Sequence, residues 1–260
     1  MMGRRTGTLL TIALMLAVAT GVQQPSAQPF NAPSIDDGIV GGGGSRELST
    51  AQLRRVLAES SAIVLDARPY DEYAVSHLPG ARTVRGKPGT TPALYVADVA
   101  EIMESLPDRD QPLVVYCNGV YCGRSERFAE DLAKAGYGNV VRYQLGAPGW
   151  RALGGVMQVE KPALLRLLAE DKTAVLIDGR TEATGKMRLR GAVAIPLRDA
   201  AKAKDDGRLP MTDHNTRIFV VADSGAEARK VAEAIVRDAF HNVTFFDGAV
   251  GDLPELLEDA

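Results

Sequence analysis

The 260-residue sequence is poor in cysteine, histidine and aromatic side chains: it has two Cys and three His, and Phe, Trp and Tyr together make up 5%. Two cysteines cannot build a disulfide scaffold. A structural zinc site ordinarily takes four Cys or His ligands, which Cys117, Cys122 and a distant His77 do not supply. No metal and no other cofactor is therefore expected. Sparse aromatics leave no stacking platform, and a formal net charge of −3 supplies no basic field, so no nucleic-acid partner is expected either. Long apolar runs are also missing. The run Leu9–Ala19 is too short for a comfortable membrane span.

The remainder has an ordinary globular composition, 45% hydrophobic and 24% charged, with room for one large domain or two of about 100–120 residues. Residues 1–27 read as a secretory signal peptide: Arg4-Arg5, the Leu9–Ala19 run, then Pro25-Ser26-Ala27 as a small-residue cleavage site. The expected location is periplasmic or secreted, with a membrane anchor as the alternative if the segment is uncleaved. Residues 28–45, with Gly41-Gly42-Gly43-Gly44, read as a flexible linker. The glycines lack the Lys-Ser/Thr and the preceding strand of a phosphate-binding loop.

From Leu48 onward, strand and helix patterns alternate, which argues for a parallel sheet flanked by helices. Ser49 and Gln52 form a capping-box pattern ahead of a helix over 50–60. Strands are expected at 62–66, 81–84, 113–116 and 139–143, and helices at 96–106 and 125–135. The order then repeats: a helix after Glu160, strands at 173–178, 192–196, 218–222 and 243–246, a helix over 226–240, and a short terminal helix at 253–257. The repeat has a period of roughly 110 residues, the mark of a duplicated domain. Val64-Leu65-Asp66-Ala67-Arg68 matches Leu176-Ile177-Asp178-Gly179-Arg180, and Pro79-Gly80-Ala81 matches Arg190-Gly191-Ala192. The expected units are 46–155 and 156–260.

The chemistry-bearing stretch is Leu113–Ser125. An apolar strand ends at Cys117, a loop with Gly119 and Gly123 follows, and a helix begins. A lone Cys at a strand end is most often a small buried hydrophobe. Placed under a helix N-terminus among loop N–H groups, it is instead held as a thiolate near neutral pH.

Four motifs in order tip this balance. Asp66-Ala67-Arg68, Glu72-Tyr73, His77-Leu78-Pro79-Gly80-Ala81 and Tyr116-Cys117…Arg124-Ser125, closed by Gly146 and Trp150, resemble the rhodanese (sulfurtransferase) superfamily. The resemblance implies two tandem rhodanese-like three-layer α/β domains, each with a central parallel sheet flanked by helices. It implies that Cys117 is the nucleophile, in a loop of Asn118, Gly119, Val120, Tyr121, Cys122, Gly123, Arg124 and Ser125. Sulfur would pass from a small donor of the thiosulfate or mercaptopyruvate type, through a Cys117 persulfide, to a thiol or cyanide acceptor. Asp66 and Arg68 are expected to be a supporting ion pair, and His77 to be structural rather than a general base.

The loop departs from the family pattern. Six residues separate Cys117 from Arg124 where the family has four, Asn118 stands where many members are basic, and Cys122 is a second thiol. Cys122 reads as a chance thiol, as one half of an inhibitory disulfide, or as a redox or relay partner served by a periplasmic thiol reductant. A phosphatase-like oxyanion site and a non-enzymatic binding module are further alternatives. The second half has Ala222 where the nucleophile would stand, with Asp223 and Glu227 beside it, Arg188 at the His position and Asp252 at the Trp position. It is expected to be non-catalytic.

Overall fold

A computed structural model describes residues 46–91, 94–181 and 187–259. The signal-peptide and linker expectations lie outside the described residues. No helix among the described residues is long and apolar enough to cross a membrane.

The first half opens with α1 (Thr50–Glu59), held at its start by a reciprocal cap: Gln52 N–H donates to Ser49 Oγ at 3.2 Å, and Ser49 N–H donates to Gln52 Oε1 at 2.8 Å. Then come β1 (Ile63–Asp66), α2 (Tyr70–Val75), β2 (Arg82–Thr83), α3 (Val99–Ser105), β3 (Leu113–Tyr116), α4 (Gly123–Lys134), β4 (Val140–Tyr143) and α5 (Gly146–Ala152). The strands form one parallel sheet in the order β2-β1-β3-β4. A bridge from Glu47 to Arg142 extends it past β4. Its central strands are short apolar runs because helices cover both faces, as parallel sheets require.

Alternation along β3 decides where the thiol points. Leu113, Val115 and Cys117 pack with Phe128, Leu132 and Ile102 on the α3/α4 side. Val114 and Tyr116 pack with Leu53, Val56 and Trp150 on the α1/α5 side. Each fully buried Leu or Phe in these layers contributes about 1.5–3 kcal/mol.

The second half repeats the plan. β5 (Met157–Val159), α6 (Lys161–Glu170), β6 (Val175–Asp178), β7 (Met187–Leu189), β8 (Val193–Ala194), β9 (Ile218–Val221), α7 (Gly225–Ile235), β10 (Val243–Phe246) and β11 (Leu257–Asp259) follow in order. A five-stranded parallel sheet runs β5-β10-β9-β6-β8, and β7 pairs antiparallel with β11. The expected terminal helix at 253–257 is a single 3-10 turn, Pro254–Leu256, leading into β11. β5, β7, β11 and α5 are additions to the sequence reading; at three to seven residues they carry too little periodicity to register.

The halves meet through backbone. His77 and Gln158 exchange N–H···O bonds of 2.9 and 2.8 Å, and Gly80 N–H donates to Gln158 Oε1 at 2.9 Å. Ala74 of α2 enters the apolar cluster around α6. Beside this junction, a cavity of about 480 Å³ lies between Val64, Pro79 and Arg82 of the first half and Gly225, Arg229 and Asp247 of the second.

Candidate active site

Cys117 lies immediately after β3 and is only 1% exposed. Its Sγ donates to the Cys122 carbonyl at 3.1 Å and lies 3.2 Å from Ser125 Oγ in α4. The loop folds back because Cys122 N–H donates to Gly119 O at 2.9 Å, with Gly119 in the left-handed region at φ +98°. Gly146 buttresses it from below. A Cβ there would sit 2.2 Å from Cys117 O and 2.4 Å from Gly119 N, and its φ is +60°. Ala147 N–H then donates to Cys117 O at 3.0 Å. The Gly-x-x-x-Trp signal therefore marks a backbone close approach.

The helix begins two residues earlier than its apolar pattern indicates, at Gly123, and its N-cap is Cys122. The sequence reading puts the thiolate on Cys117; Cys122, at the N-cap, shares the helix terminus with it. The neighbouring Cys122, together with burial, pushes the Cys117 thiol far up. Half-buried Cys122 is brought down to about 5, by the neighbouring Cys117 first and then by the Asn118 and Arg124 backbone and the Arg124 guanidinium.

Glu72, from α2, closes one side. It accepts from Asn118 Nδ2 and from Arg124 Nη1 at 3.4 Å, and the Arg124 guanidinium also stands 5.8 Å from the centre of the Tyr95 ring. Gly123 provides the first turn of α4. The loop tip is open: Val120 is exposed and Tyr121 fully so.

Asp66 and Arg68 sit under the loop. Arg68 Nε donates to Asp66 Oδ1 at 2.9 Å, Arg68 Nη2 donates to Asp66 Oδ2 and to Ser76 O, both at 2.6 Å, and the Tyr116 hydroxyl donates to the same carboxylate. Tyr116 in turn accepts from Leu78 N–H at 3.1 Å. Burial first, then the Asp66 charge, keeps this phenol protonated. The network ties the residue before Cys117 to the His77–Gly80 turn. His77 is fully buried and stacked at 3.8 Å on Tyr73. Its Nδ1 lies 2.9 Å from the Tyr73 carbonyl, which can only accept, so Nδ1 carries the proton. Burial pushes its pKa down to about 4. The hydrogen-bond partners of its ring and backbone are Tyr73 and Gln158, outside the 118–125 loop, and Nε2 is buried 3.7 Å from Glu160 with no hydrogen bond.

The second half has the same frame. Arg180 Nε donates to Asp178 Oδ1 at 2.9 Å, and Val250 N–H donates to Ala222 O at 2.9 Å as Ala147 does to Cys117. Counting on from that bond places Leu253, not Asp252, opposite Trp150. Leu253 is fully buried, and Asp252 instead accepts from Ala249 N–H at 2.8 Å. Counting back twelve residues from the left-handed residues Gly136 and Ala239 places Glu227 opposite Arg124. Four residues separate Ala222 from Glu227, against six between Cys117 and Arg124.

A sequence profile described as Rhodanese-like domain matches residues 49–153 and again 161–252. The chain is 31% identical over 110 residues to the HTH-type transcriptional regulator Rv0324 of Mycobacterium tuberculosis, covering 41% of this chain and 42% of that protein. Among solved structures it is similar to a thiosulfate sulfurtransferase from Pseudomonas aeruginosa, with 19% identity, a TM-score of 0.36, and 82% of this chain and 43% of that one covered. It is also similar to SseA from Escherichia coli, described as a 3-mercaptopyruvate sulfotransferase, with 18% identity, a TM-score of 0.36, and 79% and 98% covered. The chain thus spans about two fifths of the length of the regulator and of the Pseudomonas protein.

Proposed function

The chain belongs to the rhodanese-like domain family, and from that premise we propose that it is a sulfurtransferase in which Cys117 carries the sulfur as a persulfide. The observation that supports this most is the seating of Cys117: it ends the central strand β3, bonded to Ser125 of α4 and closed over by the Gly146 turn. As a donor approaches, Cys117 gives up its proton to solvent, and the bared Cys117 sulfur attacks the donor's outer sulfur. The sulfur–sulfur or carbon–sulfur bond of the donor breaks, its electron pair leaves with sulfite or an enolate, and Cys117 holds the sulfane sulfur. Loop N–H groups stabilise the persulfide anion, and a thiol or cyanide then takes the sulfur.

The loop cation is partly neutralised, because Arg124 faces Glu72. A singly charged donor of the mercaptopyruvate kind therefore fits better than dianionic thiosulfate. Glu72→Gln is expected to raise kcat/KM for thiosulfate more than for mercaptopyruvate.

Residues 46–155 carry this chemistry in our proposal, and residues 156–260 are non-catalytic. The Arg4-Arg5, Leu9–Ala19 and Pro25-Ser26-Ala27 sequence supports a location outside the cytoplasm, which fractionation of the expressed protein tests. The test of the reaction is intact mass after incubation with each donor. The Cys122→Ser protein is expected to gain one sulfur, and Cys117→Ser none. Undiminished sulfur transfer by Cys117→Ser overturns the assignment.

A further inference from the structure

The two-thiol loop contains more than sulfur loading needs. Cys122 is the N-cap of α4, half-buried rather than sealed, and its own carbonyl holds the Cys117 thiol at 3.1 Å. The Cys122–Gly119 turn folds it back into the apolar cluster that contains Cys117. No second thiol is needed merely to load and hand on sulfur. Two residues more than the second half has in the same connection make the space for this turn.

Resting on the Cys117 persulfide reading above, we propose that Cys122 is a second catalytic thiol, which discharges the persulfide inside the loop as free hydrosulfide and leaves a Cys117–Cys122 disulfide. The Cys122 sulfur attacks Cys117 Sγ, the new sulfur–sulfur bond forms between the two cysteines, and the bond to the sulfane sulfur breaks. That sulfur leaves with the electron pair and takes a proton from solvent, as HS⁻, in place of the one Cys122 gives up. The sulfane sulfur is reduced to sulfide and the two cysteine sulfurs are oxidised to the disulfide, with no outside oxidant. A dithiol reductant reopens the bridge by thiol–disulfide exchange. The site then works as a sulfane-sulfur reductase whose product is hydrosulfide. External thiols and cyanide compete with Cys122 for the same persulfide.

Several features support the direction of attack. Cys122 has the N–H groups and the cation that favour a thiolate, and Cys117, buried against Ser125, is the sulfur that carries the load. Closing the bridge asks for a short move of a loop whose tip, Val120-Tyr121, is already exposed.

The test uses the reduced full chain, freed of reductant, with thiosulfate and with mercaptopyruvate in separate reactions. Sulfite or pyruvate counts loading, hydrosulfide counts discharge, and intact mass reads the protein. Wild type is expected to release one hydrosulfide per loading event without any acceptor, stop after one turnover, and lose two hydrogens. Cys122→Ser keeps an oxygen at the cap. It is expected to load once, release no hydrosulfide, keep one extra sulfur, and still yield thiocyanate when cyanide is added. Wild type that loads but keeps the extra sulfur overturns the role of Cys122 and leaves the Cys117 reading standing. Loading of neither protein by either donor overturns both.

Discussion

The two halves share a fold, a buried Asp–Arg pair and a strand-end backbone bond, and differ in one connection. After Cys117 the first half spends six residues, Cys122 and two glycines among them, before Arg124; after Ala222 the second half spends four before Glu227. The frame is what the fold needs, and is kept twice. The cradle is what chemistry needs, and is kept once. The second connection also opens toward the cavity walled by Val64, Pro79 and Arg82 of the first half, so its surroundings serve the junction between halves.

The severest way to break this comparison is to move the thiol. Ala222 is fully buried at the end of β9, on the side facing α7, as Cys117 faces α4. If position alone made the nucleophile, Ala222→Cys in a Cys117→Ser background would restore loading. We expect none by intact mass, because Asp223 and Glu227 oppose a thiolate there. A one-sulfur gain at residue 222 would show that the loop is dispensable.

The next contrast lies beneath the loops. Asp66 receives the Tyr116 hydroxyl as well as Arg68, and Arg68 also serves Ser76. In the second half Val221 stands opposite Tyr116 and has no hydroxyl. Asp66→Ala strands a buried guanidinium and a buried phenol, so a loss of about 3–5 kcal/mol is expected. Asp178→Ala should cost less, since Val221 leaves no buried phenol to strand there. Urea denaturation of both variants checks the order; equal losses would erase the distinction.

Gly146 sharpens the comparison further. Its counterpart, one residue before the matching backbone bond, is Ala249, at an ordinary φ of −89°. The second half tolerates a Cβ where the first cannot, because no thiol loop presses on it. Gly146→Ala must displace Cys117 by a sizeable fraction of an ångström. We expect loading to slow by about 10²-fold, whereas Ala249→Gly should shift stability by only about 0.5 kcal/mol. Single-turnover loading rates and melting curves test the pair.

The alternation of short apolar strands and amphipathic helices made both sheets legible in the sequence, since parallel strands buried on both faces read as Val/Leu/Ile runs such as 113–116 and 218–221. Asp66, Arg68 and His77 were legible as a set through the motif. The place of Cys122 at the helix start was not. Helix starts are set by cap geometry rather than by apolar period, and α4 begins early enough to make Cys122 its N-cap. Glu72 as a lid on Arg124 was equally hidden, because 52 residues of sequence separate the pair. The strand pairing of β7 with β11 depends on a contact between distant segments, and neither carries an alternating pattern.

A milder contrast concerns acid. Buried His77 is held neutral, while its counterpart Arg188 is exposed. Burial holds the His77 pKa at about 4, below the ordinary 6.5. Between those values the unfolded chain binds the proton and the fold does not. Its contribution is therefore complete above pH ~6.5 and is lost as pH falls toward ~4, with about 2 kcal/mol gone by pH ~5. Stability of wild type and His77→Gln across this window should converge as the pH falls. A constant gap would mean that His77 is already charged in the fold.

The smallest effect is expected at the helix caps, and it bears on why Cys122 stands where it does. Ser224 caps α7, its Oγ accepting from Glu227 N–H at 3.3 Å. Cys122 caps α4 with no side-chain hydrogen bond to the helix, although serine is among the best residues for that place. A position selected for stability alone would carry the hydroxyl in both halves. Ser224→Ala should therefore cost about 1 kcal/mol. Cys122→Ser should cost nothing, or add a few tenths, as the new hydroxyl takes up a free first-turn N–H. Denaturation midpoints of the two single variants, under reducing conditions, decide this. If Cys122→Ser destabilises the fold by as much as Ser224→Ala does, the thiol is packing material. If it leaves stability intact while removing hydrosulfide release, the cap has been given up for the reaction.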